Sequence, residues 1–221
     1  MPVLERIGTK LYGAYTVPVD LLNSDMVCCS AGAGEDISFE IGLIHRFGMT
    51  IHLFDPTPKA VRHVEKIFEG VKNNTPVHTT PYNMAYDISC EELGKLNFHP
   101  YGLWKARGKK LFYPPEREEW ASYSICRGNG KPIELECIRL RDALDMMGSK
   151  RVDILKLDIE GCEKDVIESM VTDDIWPPIF CLELDDRKDE TLEILYSKGY
   201  ELLDRFGKTE KFTLMLKGHP V

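Results

Sequence analysis

Met26-Val27-Cys28-Cys29-Ser30-Ala31-Gly32-Ala33-Gly34-Glu35-Asp36-Ile37 is the stretch on which the fold turns. The apolar run Met26 to Cys29 reads as a short buried strand. It leads into glycines at 32 and 34, after which Ile37, Ile41, Ile44 and Phe47 recur at helical spacing until Gly48 supplies a stop. Strand, glycine loop and helix in that order open a parallel α/β sheet, in which ligands lie beyond the carboxyl ends of the strands.

The rhythm continues outward from there. Met49 to Phe54 reads as a second strand ending at Asp55, with Pro56 and Pro58 blocking any extension of the ladder. A helix follows whose expected buried stripe is Val61, Val64, Ile67, Phe68 and Val71. Asp87 to Lys95 suggests a short helix, and Asn97 to Trp104 a third strand opening at Gly102. Lys110 to Tyr113, Ala121 to Cys126 and Ile133 to Arg139 read as extended segments between Pro114-Pro115 and Gly128-Asn129-Gly130. Val152 to Leu157 is then a strand ending at Asp158, followed by a helix that buries Val166, Ile167 and Met170. Ile179 to Leu184 is the next strand, and Leu192, Leu195 and Tyr196 mark a helix closing at Gly199. Tyr200 to Phe206 and Phe212 to Leu216, joined by the polar turn Gly207 to Glu210, form a terminal hairpin. The pattern predicts one domain over residues 1–221, with an inserted extended region at about 105–140.

Composition narrows the partners. With 221 residues, 43% hydrophobic and 29% charged, the chain can bury a sizeable core. A net charge of −8 repels a phosphate backbone, which argues against nucleic acid, and the basic cluster Lys105, Arg107, Lys109 and Lys110 reads as a solvated turn. Seven cysteines with no CxxC pair fit a reducing, cytoplasmic setting, with most thiols packed as small hydrophobes. No apolar run nears the roughly 20 residues that cross a bilayer, so no membrane partner is expected.

Asp55 stands about 20 residues beyond Gly34, at the end of the adjacent strand, where a carboxylate can accept hydrogen bonds from ribose hydroxyls. A dinucleotide site would want a third glycine where this chain has Ile37. Glu35 and Asp36 place negative charge where a pyrophosphate would sit, yet they suit the sulfonium and α-ammonium of S-adenosylmethionine. The pair therefore points to that cofactor rather than to a nicotinamide one. A nicotinamide-dependent oxidoreductase and a non-catalytic scaffold on the same sheet are the competing readings.

Three stretches carry a resemblance to a known family: Ser30 to Glu40 with Phe54-Asp55-Pro56-Thr57-Pro58, then Asn97 to Trp104, and finally Val152-Asp153-Ile154-Leu155-Lys156-Leu157-Asp158-Ile159-Glu160-Gly161-Cys162-Glu163. Together they resemble FkbM-type methyltransferases, a branch of the class I S-adenosylmethionine-dependent enzymes. The resemblance implies a Rossmann-like three-layer α/β sandwich around a seven-stranded sheet ordered 3-2-1-4-5-7-6 with strand 7 antiparallel, and methyl transfer to a hydroxyl oxygen. It assigns the cofactor to Ser30, Ala31, Gly32, Ala33, Gly34, Asp36, Asp55, Pro56, Tyr101 and Gly102. The 30–34 loop would lie against the methionine part, Asp36 would help hold it, Asp55 would take the ribose, and Tyr101 and Gly102 would border the adenine. The chain departs from the pattern at Ser30, where many class I enzymes have an acid, and at Glu183-Leu184-Asp185, where relatives have Glu-Phe-His.

Asp158, Glu160 and Glu183 end later strands and can reach a transferred methyl group. Methyl transfer is an in-line displacement governed by alignment of acceptor oxygen, methyl and sulfur, and a carboxylate within reach can take the hydroxyl proton. Asp158 is expected to orient the acceptor and serve as base, with Glu160 and Glu183 as substrate contacts; Glu163 is expected to face solvent or cap the following helix. The same three acids could instead hold a divalent cation, but spacing alone does not support a metal. His99 is either a proton acceptor or a packed strand-end histidine. Tyr15 and Thr16-Val17-Pro18 are candidates for a lid. Phe112, Tyr113, Trp120 and Tyr123 would line an acceptor pocket for a small, sugar-like molecule or a homodimer contact, and sequence does not choose between the two.

Overall fold

Every predicted strand of the main sheet forms, in the predicted order of chain. The computed structural model describes residues 2–10, 12–117, 119–128, 130–184, 187–207 and 210–218. In chain order the elements are β1 (Leu4–Ile7), β2 (Tyr15–Pro18), β3 (Val27–Ala31), α1 (Ser38–Phe47), β4 (Thr50–Phe54), α2 (Pro58–Lys72), α3 (Cys90–Leu93), β5 (Leu96–His99) and β6 (Gly102–Leu103). They continue as β7 (Gly108–Phe112), β8 (Ile133–Ile138), α4 (Leu140–Met147), β9 (Ile154–Leu157), α5 (Glu163–Asp173), β10 (Ile179–Glu183), α6 (Lys188–Ser197), β11 (Tyr200–Phe206) and β12 (Lys211–Leu216).

The main sheet has seven strands in the order β11-β12-β10-β9-β3-β4-β5. Counting only these strands along the chain gives 3-2-1-4-5-7-6, the expected order. β3 pairs in parallel with β4 and β9, and β12 runs antiparallel to both β10 and β11. Parallel central strands are covered on both faces, which is why β9 and β10 are apolar save for Lys156 within β9 and Glu183 at the end of β10. One core layer gathers Ile37, Ile41 and Ile44 of the first crossover with Val64 and Ile67; the other gathers Val166, Ile167 and Met170 with Leu140 and Leu144.

Several local expectations are corrected. The stripe of α2 is rotated: Ala60, His63, Val64, Ile67 and Gly70 are buried, whereas Phe68 is 36% exposed. Likewise α6 buries Thr191 and Leu195 and turns Tyr196 outward. The third strand is interrupted: β5 stops at His99, and Gly102–Leu103 leaves the main sheet to join a three-stranded sheet ordered β6-β8-β7. Ala121 to Cys126 forms no strand and touches the ladder only through a bridge between Tyr113 and Ser124. Of the polar turn before β12, Lys208 and Thr209 lie outside the described residues.

Three elements, β1, β2 and α4, lie outside the sequence expectations. β1 and β2 form an antiparallel hairpin that packs on β12, where the Thr213 hydroxyl donates to the Thr16 carbonyl at 2.7 Å. Tyr15 is fully buried there, so it is part of the core and not a lid. The helix α4 buries Leu140, Ala143 and Leu144 at helical spacing and ends on Gly148.

Candidate active site

The loop after β3 is shaped by a close approach. Gly32 has φ +89°, and a Cβ there would fall 1.8 Å from the Asp158 carbonyl oxygen, so only glycine lets the loops after β3 and β9 touch. Asp55 pins this loop from the end of β4. One carboxylate oxygen accepts the Ala33 and Gly34 N–H groups at 2.9 and 3.1 Å, and the other accepts the Thr57 N–H and hydroxyl at 2.8 and 2.7 Å. Charge-assisted hydrogen bonds of this kind hold a loop in one conformation. Asp36 is similarly engaged, accepting the Thr9 hydroxyl and the Ser38 N–H at 2.9 Å.

Beneath the loop lies a buried charge cluster that sequence reasoning missed. Lys156, fully enclosed in β9, donates to the Gly32 carbonyl at 2.5 Å and stands 3.6 Å from Glu40 and 3.8 Å from Asp158. Burial alone would lower the Lys156 pKa; the charges of Glu40 and Asp158 more than offset it, and the ammonium is held above its ordinary value. Ser30 donates to Glu40 at 2.5 Å. The acid absent at position 30 is thus supplied to the same spot from α1.

Asp158 is held by the Tyr15 hydroxyl, which donates to it at 2.7 Å. Burial, then the charge of Asp158, push the Tyr15 phenol well above its usual range, so it stays a proton donor. Past Asp158 the backbone turns through Glu160 at φ +58°, a left-handed conformation uncommon for a side chain of this size and typical of functional loops. Glu163 reaches back to accept the N–H groups of Ile159 and Gly161 at 2.9 and 3.3 Å. It is 1% exposed, so the expectation that it faces solvent is overturned.

These loops enclose a cavity at the carboxyl ends of β3, β4 and β9. Of the residues predicted to hold a cofactor, Gly32, Ala33, Gly34, Asp36, Asp55, Pro56 and Gly102 line it. Ser30, Ala31 and Tyr101 do not: the first two are buried inside β3, and Tyr101 packs on the second core layer. Gly102 leaves room, because a Cβ would press on the Cys137 sulfur at 2.9 Å and on Phe112 and Pro56 beyond it. Phe112 and Tyr123, two of the aromatics expected at a pocket, and Tyr15 also line it, while unforeseen wall residues include Tyr12, Gly13, Phe54, Ala121 and Ser122.

The cavity shares Tyr12, Ala121, Ser122, Asp158 and Glu160 with a second recess, which Glu35, Thr80, Trp120 and Glu183 complete. The three expected acids therefore meet around one space. Glu160 pairs with Arg127 at 3.2 Å and Glu183 with Lys211 at 3.2 Å. Among the described residues their oxygens do not gather into a metal-sized group; the group that does is Cys126, Cys162 and Asp165. His99 lies off the cavity, stacked on Phe54 and within 3.0 Å of His52. Asp185 lies outside the described residues. No helix among the described residues is long and apolar enough to cross a membrane.

Solved structures with a similar arrangement include a precorrin-6y C5,15-methyltransferase from Geobacter metallireducens, 12% identical over 90% of this chain and 84% of that one, TM-score 0.47. An rRNA methylase from Streptococcus thermophilus is 9% identical over 90% and 92%, TM-score 0.46. The fibrillarin pre-rRNA processing protein of Methanococcus jannaschii is 12% identical over 90% and 70%, TM-score 0.45. Among curated protein sequences none matches significantly. The family model of the methyltransferase FkbM domain matches residues 30–202, from the glycine loop to β11, and the chain belongs to that family.

Proposed function

We propose that this chain is an S-adenosylmethionine-dependent O-methyltransferase whose acceptor is a hydroxyl of a sugar or other small polyhydroxylated metabolite. The observation that carries the reading is the shared wall: Asp158 and Glu160 border both the cavity under the glycine loop and the recess beside it. The cavity suits the cofactor, since the Gly32-Ala33-Gly34 backbone lines it with a single Cβ and meets carboxylates at Asp36 and Asp158 that complement a sulfonium and an ammonium group. Ala33, Gly34 and Gly102 would lie against it, and Asp55 offers the ribose hydroxyls oxygens that already brace the loop. When bound, the cofactor supplies an electrophilic methyl carbon.

The chain's own residues do the rest. Tyr15 and Lys156 fix one oxygen of Asp158, leaving its carboxylate oriented at the junction of the two spaces. There it would accept a hydrogen bond from an acceptor hydroxyl and hold the proton that the hydroxyl gives up. Tyr12 and Trp120 flank the recess with ring surface that can cover the apolar face of a sugar, while Glu160 and Glu183 accept from further hydroxyls. Shared walls between the two spaces favour alignment, the largest expected source of acceleration in a displacement at carbon.

Titration calorimetry with S-adenosylhomocysteine tests this reading. Micromolar binding is expected, lost in Asp55→Ala and partly kept in Asp55→Asn, which retains one acceptor for the loop. No heat with either S-adenosylhomocysteine or S-adenosylmethionine on a folded protein overturns it.

A further inference from the structure

The segment Ala121 to Ile125 forms the outer wall of the cavity and is fastened to the loop after β9. The Ser124 hydroxyl donates to the Glu160 carbonyl at 2.6 Å and receives the Cys126 N–H at 3.1 Å. At the end of this segment the Cys126 sulfur lies 3.2 Å from the sulfur of Cys162, a cavity-wall residue 36 positions later. Cys126 is exposed and Cys162 buried, so one thiol of the pair lies at the surface and the other beneath it.

With Asp165 the two sulfurs form a group of ligand-type atoms within 4.8 Å of one another. A metal is disfavoured there, because Lys105 at 3.0 Å and Arg187 at 3.2 Å already occupy the two Asp165 oxygens. Burial would raise the Asp165 carboxyl, but these two cations reverse that and hold it below its ordinary range. Arg187 is also within electrostatic reach of both sulfurs. The contact with Cys126, then burial, hold the Cys162 thiol protonated well above its ordinary range, so Cys162 enters the reaction as a thiol.

We propose that Cys126 and Cys162 form a reversible disulfide that clamps the 121–126 segment over the cavity. Its effect on cofactor exchange rests on the methyltransferase reading of that cavity; the bond itself does not. Hydrogen peroxide is the oxidant. The Cys126 thiolate attacks one peroxide oxygen, which breaks the O–O bond, releases hydroxide and leaves Cys126 as a sulfenic acid. The Cys162 sulfur then attacks the Cys126 sulfur, gives up its proton, and the sulfenic oxygen leaves as water. In balance, two thiols and one peroxide yield one disulfide and two waters, with the sulfurs oxidised and the peroxide oxygens reduced. The sulfurs must close from 3.2 Å to about 2.05 Å, a shift of about 1 Å that falls on Cys126, the exposed end of the segment.

The test treats the full chain with stoichiometric peroxide, blocks remaining thiols and maps peptides without reduction. A loss of about two mass units is expected, carried by a linked peptide pair containing Cys126 and Cys162, reversed by dithiothreitol and absent in Cys126→Ser. Hydrogen exchange of the 121–128 amides should slow by about tenfold in the oxidised form, with or without ligand. Release of S-adenosylhomocysteine should slow by a similar factor. No linked pair, a pair made with another cysteine, unchanged exchange, or one tightly bound zinc per chain that blocks oxidation would each overturn the proposal. If the reduced protein binds no S-adenosylhomocysteine while the linked pair and slowed exchange appear, the cofactor reading fails and the clamp stands.

Discussion

Replacing Glu163 by glutamine gives the sharpest check on how the site is held. Its carboxyl is buried at the start of α5 and accepts two loop N–H groups through one oxygen, while the other oxygen has no partner among the described residues. Burial pushes its pKa from 4.5 up to about 8, against the pull of those N–H groups. In the window between these values the folded chain holds a proton that the unfolded chain has released. The stability this contributes is fully present below pH 4.5 and is lost as pH rises through about 8. One extra proton corresponds to about 1.4 kcal/mol per pH unit, so Glu163 should remove about 3 kcal/mol of stability between about pH 5.5 and about pH 7.5. Glutamine has the shape of the protonated acid, keeps an acceptor for the loop and does not titrate. Urea unfolding of both proteins across this range should show near equality at the acid end and a growing advantage for Glu163→Gln toward neutrality. A difference independent of pH, or one that shrinks as pH rises, would refute the assignment of a protonated Glu163.

Two further outcomes follow from the geometry. Gly32→Ala forces a Cβ to within 1.8 Å of the Asp158 carbonyl oxygen at a φ of +89°, which costs more than about 3 kcal/mol; the melting temperature should fall by roughly 6–12 °C, and a fall under about 2 °C counts against the loop contact. His52, lowered to about 4 by burial and then by His99, should stay neutral on mild acidification, with its stabilising contribution present above pH 6.5 and lost as pH falls through about 4; a ring midpoint at or above 6.5 by NMR would contradict the packed pair.

Periodicity makes the main sheet legible because most of its strands are short, largely apolar segments bounded by turn residues, and the glycine loop and Asp55 are legible because their chemistry depends on spacing along the chain. Contacts distant in sequence were not. Tyr15 meets Asp158 across 143 residues, and nothing near Tyr15 marks it as a partner of a strand-end acid. The helix α4 starts on Arg139, which lacks the short polar side chain that usually signals a start, and its eight residues are too few for the Leu140, Ala143, Leu144 spacing to stand out. The buried stripe of α2 departs from its apolar residues because tertiary packing buries His63, which meets the Tyr86 hydroxyl at 2.8 Å, and leaves Phe68 outside.

The buried cluster of Lys156, Glu40 and Asp158 shows what a sequence signal of this kind would have been. A lysine inside an otherwise apolar strand is too costly to bury unpaired, so it demands acids on the elements that cover it. Glu40, on the buried face of α1, was the one acid in a run of Ile37, Phe39, Ile41, Leu43 and Ile44 and meets that demand. Asp158 is then shared between the cluster and the cavity, which explains how a carboxylate ending a parallel strand can stay oriented beside a ligand site. Removing Lys156 would leave the buried charge of Glu40 to the Ser30 hydroxyl, leave Asp158 to Tyr15, and free the Gly32 carbonyl, because one ammonium bridges both walls of the cavity.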